Sequence, residues 1–298
     1  MKIPAYVLIT PARNEAQFLE LTIQSVVQQT ITPLRWVIVS DGSTDGTDDI
    51  VRRYAARYEW IELLALPERA QRNFAGKAAA VMAGYARLAG LDYGVIGNLD
   101  ADTTFEKDYL EFLVRKFAEN PKLGVAGTPY REENATHDDS LKSRLDVSGA
   151  CQMFSRECFE AIGGYPPIQS GGIDLVAVLQ ARAKGWETRR FDEMTCLHHR
   201  NVGSGNEQNV FRRLLKRGRK DYLLGGDPVF EIFRCAYQMK TRPFVIGGVL
   251  LFAGYMWAML RGVRRTMPEE LIGIRRSDQM ERLTQFLRHP LKFSRQEF

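Results

Sequence analysis

Residues 98–103 read Asn98-Leu99-Asp100-Ala101-Asp102-Thr103, and they follow the apolar run Tyr93-Gly94-Val95-Ile96-Gly97. A short apolar run of this kind reads as a buried strand. Two carboxylates then sit one residue apart at a strand's end, where like charges repel unless something positive lies between them. A hard divalent cation with oxygen ligands meets that need, and a cation held this way also holds phosphates. The same residues also describe a polar loop in which Asp102 caps a helix expected near Glu106–Asn120. Residues elsewhere in the chain have to separate the two.

Upstream, apolar strands expected at Tyr6–Ile9, Trp36–Val39, Trp60–Leu66 and Tyr93–Gly97 alternate with helices expected at Phe18–Gln28, Thr47–Tyr58 and Gly76–Leu88. Such alternation implies an α/β fold with a mostly parallel sheet covered on both faces. Ligands of open α/β sheets sit beyond the carboxyl ends of the strands. Three strand ends fall on that edge: Thr10-Pro11-Ala12-Arg13-Asn14-Glu15, Ser40-Asp41-Gly42-Ser43-Thr44-Asp45, and Asp100-Ala101-Asp102. No GxGxxG follows the first strand and no GxxxxGK(S/T) occurs. That argues against a dehydrogenase-type dinucleotide fold and against a P-loop.

Downstream the pattern loosens. Gly124–Thr128 and Gly149–Phe154 are strand-like, and the charged, aperiodic stretch 131–144 reads as a mobile loop near the site. A helix expected over Glu157–Ile162 leads to a Gly163-Gly164-Tyr165-Pro166-Pro167 turn. Asp174 then opens a helix that stops at Gly185, where its simple structural role is that of N-cap.

The chain has 298 residues, enough for one large domain or a domain with an appendage. Cys151, Cys158, Cys196 and Cys235 show no CxxC spacing, and with no targeting segment visible they read as reduced cytosolic thiols. The net charge of +5 is unevenly spread: residues 1–211 hold 23 Lys/Arg and 28 Asp/Glu, and residues 212–298 hold 18 and 8. Nucleic acid is one partner for a basic tail. The uncharged apolar stretch 243–260 inside that tail favours an anionic membrane surface instead.

Taken in order, Pro11-Ala12-Arg13-Asn14-Glu15, Ser40–Asp45, Asp100-Ala101-Asp102, and Gly163-Gly164-Tyr165 followed by Ile173-Asp174 resemble the family 2 glycosyltransferases of the GT-A fold. The resemblance covers roughly residues 5–200. It implies a nucleoside-diphosphate-sugar donor and inverting transfer of the sugar to a hydroxyl. By that resemblance Pro11, Ala12, Asn14 and Glu15 belong to the nucleotide pocket, and Asp41 contacts the base. Glu15 also suits a role supporting the first helix, and Asp41 and Asp45 also suit a Gly turn and a helix cap. Asp102 matches the ligand of Mg2+ or Mn2+ between the donor's phosphates, with Asp100 and Ala101 toward the ribose or donor sugar. Asp174 matches the catalytic base that deprotonates the acceptor hydroxyl. The family often has Glu-Asp there, whereas this chain has Ile173-Asp174. Lys77, near a helix N-terminus, suits a phosphate or, with Arg69, Arg72 and Asn73, a solvated basic turn. The resemblance also suggests a metal ligand at His198 or His199, after a strand expected at Glu193–Leu197. Arg200, beside the Gly-rich run 201–205, suits the pyrophosphate.

In the tail, residues 207–224 form an expected amphipathic helix with Val210, Phe211, Leu214, Leu215 and Tyr222 on one face. The apolar stretch would be about 27 Å long as a helix, slightly short of a hydrocarbon core of ~30 Å. Basic residues flank it on both sides, Lys240 and Arg242 before, Arg261, Arg264 and Arg265 after. That symmetry fits a monotopic or re-entrant segment with both ends cytoplasmic better than a crossing. A buried helix of a soluble dimer is the other reading. Gln279-Met280-Glu281-Arg282-Leu283 is similar to the QxxRW of processive synthases, but it has Leu for Trp and lies after the apolar segment, so it reads as coincidence.

The expectation is therefore a transferase domain over 1–205 and a helical region over 206–298. It is an inverting, metal-dependent, hexosyltransferase-like enzyme at the cytoplasmic face of the cell membrane, or free in the cytoplasm. Its acceptor is a lipid-linked glycan or similar glycan of surface-polysaccharide assembly, and nucleic acid is no partner. The rivals are a sugar-nucleotide nucleotidyltransferase and a catalytically silent membrane-tethered binding protein.

Overall fold

The structure, a computed structural model, describes residues 3–68, 74–132, 143–168, 170–200, 209–240 and 243–288. Most of the expected loop over 131–144 lies outside the described residues, as do Arg69, Arg72, Asn73, Arg242 and the run 201–205. The chain divides into two compact units, one of residues 1–137 with 144–201, the other of 138–143 with 202–298.

The first unit opens with β1 (Tyr6–Ala12), α1 (Leu19–Val27), β2 (Arg35–Asp41), α2 (Thr47–Ala55), β3 (Ile61–Leu66), α3 (Phe74–Ala86) and β4 (Val95–Leu99). It continues with β5 (Thr103–Thr104), α4 (Tyr109–Glu119), β6 (Leu123–Gly127), β7 (Tyr130–Glu132) and β8 (Cys151–Ser155). It closes with α5 (Arg156–Ile162), α6 (Ile173–Ala183), β9 (Glu187–Arg190) and β10 (Cys196–His198). Seven strands form the main sheet in the order β3-β2-β1-β4-β8-β6-β9. All neighbours are parallel except β8, which runs antiparallel to both β4 and β6. A second sheet has the order β5-β10-β7.

Alternation along the central strands divides the core. Tyr6 and Leu8 of β1 pack with residues of α1, α2 and α4 on one face. Val7 and Ile9 pack with residues of α3, α5 and α6 on the other. Period-two alternation is what lets one strand supply both layers. β1 runs to Ala12, three residues beyond the expected strand, paired with β2 through Ala12↔Ser40. Its pairing with β4 has already ended at Ile9↔Asn98. Pro11, which has no N–H, therefore sits where β4 makes no ladder.

Two capping expectations are corrected. α4 begins at Tyr109 behind Asp108, too far along the chain for Asp102 to cap it. α6 begins at Ile173, and its cap position is Gly172 in the left-handed region at φ 83°. Asp174 therefore lies inside the first turn. The late strand is also displaced, from the expected 193–197 to β10 at Cys196–His198, because its partners are β5 and β7.

The second unit contains α7 (Val210–Leu223), α8 (Pro228–Gln238), α9 (Ile246–Leu260) and α10 (Glu269–Arg288). α7 buries Leu214, Gly218 and Tyr222, whereas Val210, Phe211 and Leu215, expected on the same apolar face, are exposed. Close packing explains this. A Cβ on Gly218 would stand 1.9 Å from the carbonyl oxygen of Leu251, so α7 and α9 meet backbone to backbone there. Asp221 accepts hydrogen bonds from Arg234 and Arg275 inside this unit. No helix among the described residues is long and apolar enough to cross a membrane.

Candidate functional site

The loops after β1 and β2 are stitched together at the carboxyl edge of the sheet. Asn14, at φ 56°, accepts from the Thr44 backbone N–H at 2.8 Å, and its own N–H donates to Ser43 Oγ at 3.1 Å. Asp45 accepts from the Ala16 N–H and from the Thr47 N–H and hydroxyl. Burial works against the charge on Asp45, but these hydrogen bonds bring its carboxyl below its ordinary value. Asp45 is thus a clasp between the two loops. Gly42 takes φ 66°, and a Cβ there would meet Glu68 Cα at 2.5 Å, so only glycine lets the turn after Asp41 close. Asp41 ends β2 with the Arg13 guanidinium 3.9 Å away.

The second strand end carries the acidic pair. Ala101 lies in the core, and its carbonyl accepts from the Thr22 hydroxyl at 2.9 Å. That anchors the turn between Asp100 and Asp102. β10 then pairs antiparallel with β5, His198 opposite Thr103. The result puts Asp100, Asp102 and His198 together, with one ligand atom from each within 4.8 Å of the others. His198 Nε2 is 3.3 Å from Asp102 and 4.0 Å from Asp100. Its Nδ1 faces the Arg200 carbonyl, which can only accept. Nδ1 therefore carries a proton, and Nε2 is the ring nitrogen turned to the carboxylates. His199 is elsewhere: its Nε2 is 3.0 Å from the Thr104 hydroxyl and its ring stacks on Phe18.

Lys77, in the first turn of α3, reaches Asp100 at 2.5 Å. Burial opposes its charge, yet Asp100, and beyond it Asp174 and Asp102, hold its ammonium above the ordinary range. Burial pushes the Asp100 carboxyl up against the pull of Lys77, and Asp102 adds to the rise. Lys77 is thus shared among three carboxylates, and the Arg200 Nε stands 3.9 Å from Asp102. Arg200 is less open to a ligand than its sequence suggested. Its two terminal nitrogens donate to the two oxygens of Glu15, at 3.0 and 2.5 Å. This bidentate pair, with Glu15 buried, ties the loop after β1 to the end of β10.

Asp174 is half-buried at the opening of α6. Gly149 makes room for it, since a Cβ there would stand 3.2 Å from Asp174 Oδ2. Beneath it lies Gln152 of β8, fully buried. Its amide nitrogen donates to the carbonyls of Val147 at 3.1 Å and Asp174 at 3.4 Å. The Tyr165 hydroxyl donates to Gln152 Oε1. Burial, with Asp174 and Asp100 nearby, holds the Tyr165 phenol well above its ordinary range, so it stays a donor. Gln152 was not a sequence candidate. Its signal was a lone amide between Cys151 and Met153 in a buried strand, where a polar side chain must find partners.

Residues 7–171 match the family model described as Glycosyl transferase family 2. The succinoglycan biosynthesis protein ExoA of Rhizobium meliloti is 30% identical over 186 residues, 53% of this chain and 52% of that protein. The putative teichuronic acid biosynthesis glycosyltransferase TuaG of Bacillus subtilis is 31% identical over 168 residues, 52% of this chain and 63% of that protein. The matches thus span about half to under two thirds of the relatives' length. Among solved structures, the mannosyltransferase PcManGT from Pyrobaculum calidifontis, in complex with GDP-Man and Mn2+, aligns with a TM-score of 0.58 at 19% identity. That alignment covers 96% of this chain and 76% of that one. Residues 1–349 of Staphylococcus aureus TarS with UDP align at 0.54 and 15% identity, over 75% and 66% of the two chains. Identities this low speak for the GT-A fold alone.

Proposed function

Because the chain belongs to glycosyl transferase family 2, we propose that it moves a sugar, with inversion, from a nucleoside diphosphate donor to a hydroxyl of a lipid-linked glycan. The observation that carries this reading is the convergence of Asp100, Asp102 and His198 with Lys77 and Asp174 at one sheet edge. Two carboxylates and a neutral imidazole form a donor set that suits Mn2+ or Mg2+. The tautomer of His198, fixed by the Arg200 carbonyl, is the one a metal ligand requires. Asp100, Asp102 and His198 would hold the ion, which when bound neutralises the diphosphate as it leaves.

The chain's own residues account for the rest. Asp41, Pro11 and Ala12 border the base pocket, and the Asn14 and Asp45 clasps hold its two loops in place. Lys77 offers an ammonium to the phosphates from a helix's first turn. Asp174 takes the proton of the acceptor hydroxyl as the oxygen attacks the anomeric carbon from the face opposite the leaving group. Gln152 and Tyr165 keep the opening of α6, and so Asp174, in register with that attack. A lipid-linked acceptor puts this work at the cytoplasmic face of a membrane. The names of the relatives, in succinoglycan and teichuronic acid biosynthesis, support a surface polysaccharide as the product's destination.

The test is a screen of UDP-, GDP- and dTDP-sugars with Mn2+, reading donor hydrolysis and transfer, with Asp174→Asn alongside. Turnover with one donor class, lost by about 10²–10⁴-fold in D174N while nucleotide binding stays, supports the proposal. No turnover with any donor, or an unchanged D174N, overturns it.

A further inference from the structure

α9 is apolar on every side, yet it is covered on only one. A helix apolar all round is normally buried all round in water. At 100° per residue, its buried positions Gly247, Gly248, Leu251, Gly254, Tyr255 and Ala258 occupy one arc. Three of the six are glycines. Cβ atoms on Gly248 and Gly254 would stand 2.3 Å from the Cys235 carbonyl oxygen and 2.1 Å from that of Leu215. The glycines let this side pack closely against α7 and α8, with Leu251 and Tyr255 buried there, while the other large side chains stand outward. Ile246, Val249, Phe252, Trp257 and Leu260 are exposed, Leu260 at 78% and Trp257 at 50%. They span an arc of about 140° at 3.6 residues per turn. Small residues inward and bulky apolar residues outward is the arrangement of helices that meet lipid. The apolar tip continues through exposed Phe244 and Val245, the latter at φ 57°.

The sequence that carries this face is cationic. Residues 209–268 hold twelve Lys/Arg and three Asp/Glu, and two of the three acids, Asp221 and Glu231, are buried. Arg219 of α7 lies over the Trp257 ring at 5.4 Å, and exposed Arg261 follows Leu260. A second copy seated on this face would bring its own cations against these. Anionic headgroups complement them. α9 is 15 residues long, about 22 Å at 1.5 Å per residue, against a hydrocarbon core of ~30 Å. It can lie in a bilayer's surface but not cross it.

We propose that the outward face of α9 docks in the plane of an anionic lipid surface, with Trp257 and Arg219 at the headgroup level. This goes beyond the transferase reading and rests only on α7, α8 and α9. The test uses the full chain with vesicles of phosphatidylcholine, with and without phosphatidylglycerol. Expected is co-sedimentation with the phosphatidylglycerol vesicles that weakens as salt is raised. Val249→Asp with Phe252→Asp, both on the exposed face, should weaken binding at least about tenfold with an unchanged circular dichroism spectrum and Tm. R219Q should weaken it about fivefold. No binding to the anionic vesicles, or equal binding by the double Asp variant, overturns the proposal. So does a dimer by ultracentrifugation that the double variant dissociates. Donor hydrolysis measured without vesicles separates the two readings: vesicle binding without hydrolysis supports docking and counts only against the transferase.

Discussion

Replacing Gln152 with leucine keeps the volume of a fully buried side chain and deletes its polar atoms. The Val147 carbonyl loses its partner, and the Tyr165 hydroxyl loses Gln152 but keeps Asn98 beside it. The Asp174 carbonyl loses a longer contact at 3.4 Å, and its helical bond within α6 remains. A buried polar group left without a partner costs about 1–3 kcal/mol, so Q152L should destabilise the first unit by about 1–3 kcal/mol. Tyr165→Phe takes a partner from Gln152 Oε1 and from the Asn98 side chain and should cost about 1–3 kcal/mol. The double variant removes both ends of the Tyr165–Gln152 bond. Its loss should therefore fall short of the sum of the singles by about 1–2 kcal/mol. Urea denaturation followed by circular dichroism and by tryptophan fluorescence measures all three. In the transferase assay Q152L should lower kcat about 10–100-fold through a displaced Asp174, with the KM for donor little changed. If Q152L stays within about 0.5 kcal/mol of the natural chain, or the pair is additive, the network does not position Asp174 and the reasoning fails.

His198→Ala should weaken Mn2+ binding by more than about tenfold in isothermal titration, while His199→Ala, whose ring meets Thr104 and Phe18, should leave it unchanged; equal losses would refute the assignment of Nε2. Gly218→Ala sets a methyl 1.9 Å from the Leu251 carbonyl oxygen, which outweighs the ~1 kcal/mol gain in helix propensity, so a net loss of about 1–3 kcal/mol should appear in the melting of the second unit. Burial, only partly offset by Arg234, holds the Glu231 carboxyl at about 7 in place of 4.5. Because the folded state keeps that proton longer, the second unit should lose stability as pH rises from about 4.5 to about 7, and Glu231→Gln should flatten the slope; an unchanged pH profile in E231Q would contradict this.

Much of the first unit was legible because its rules are local. Strand and helix alternation follows from side-chain period, and the shared edge of the three loops follows from parallel topology. Asp41, Asp100 and Asp102 stand at strand ends that period locates, whereas Asp174 is named by its match to the family motif, its N-cap reading being displaced by Gly172. What sequence left open was which side chain meets which. His198 and His199 are adjacent, and only the pairing of β10 with β5 turns one to the carboxylates and the other to Thr104. Glu15 and Arg200 lie 185 positions apart, so no local pattern could show that they hold each other. Gln152 needed Tyr165 and α6 around it before its amide had a meaning. The same holds for α9. Its sequence shows an apolar stretch, but whether its glycine side or its bulky side faces the protein is decided by how closely α7 and α8 approach. Local periodicity fixes what a segment is, whereas packing and long-range pairing choose its neighbours, and the chemistry of the site depends on those neighbours.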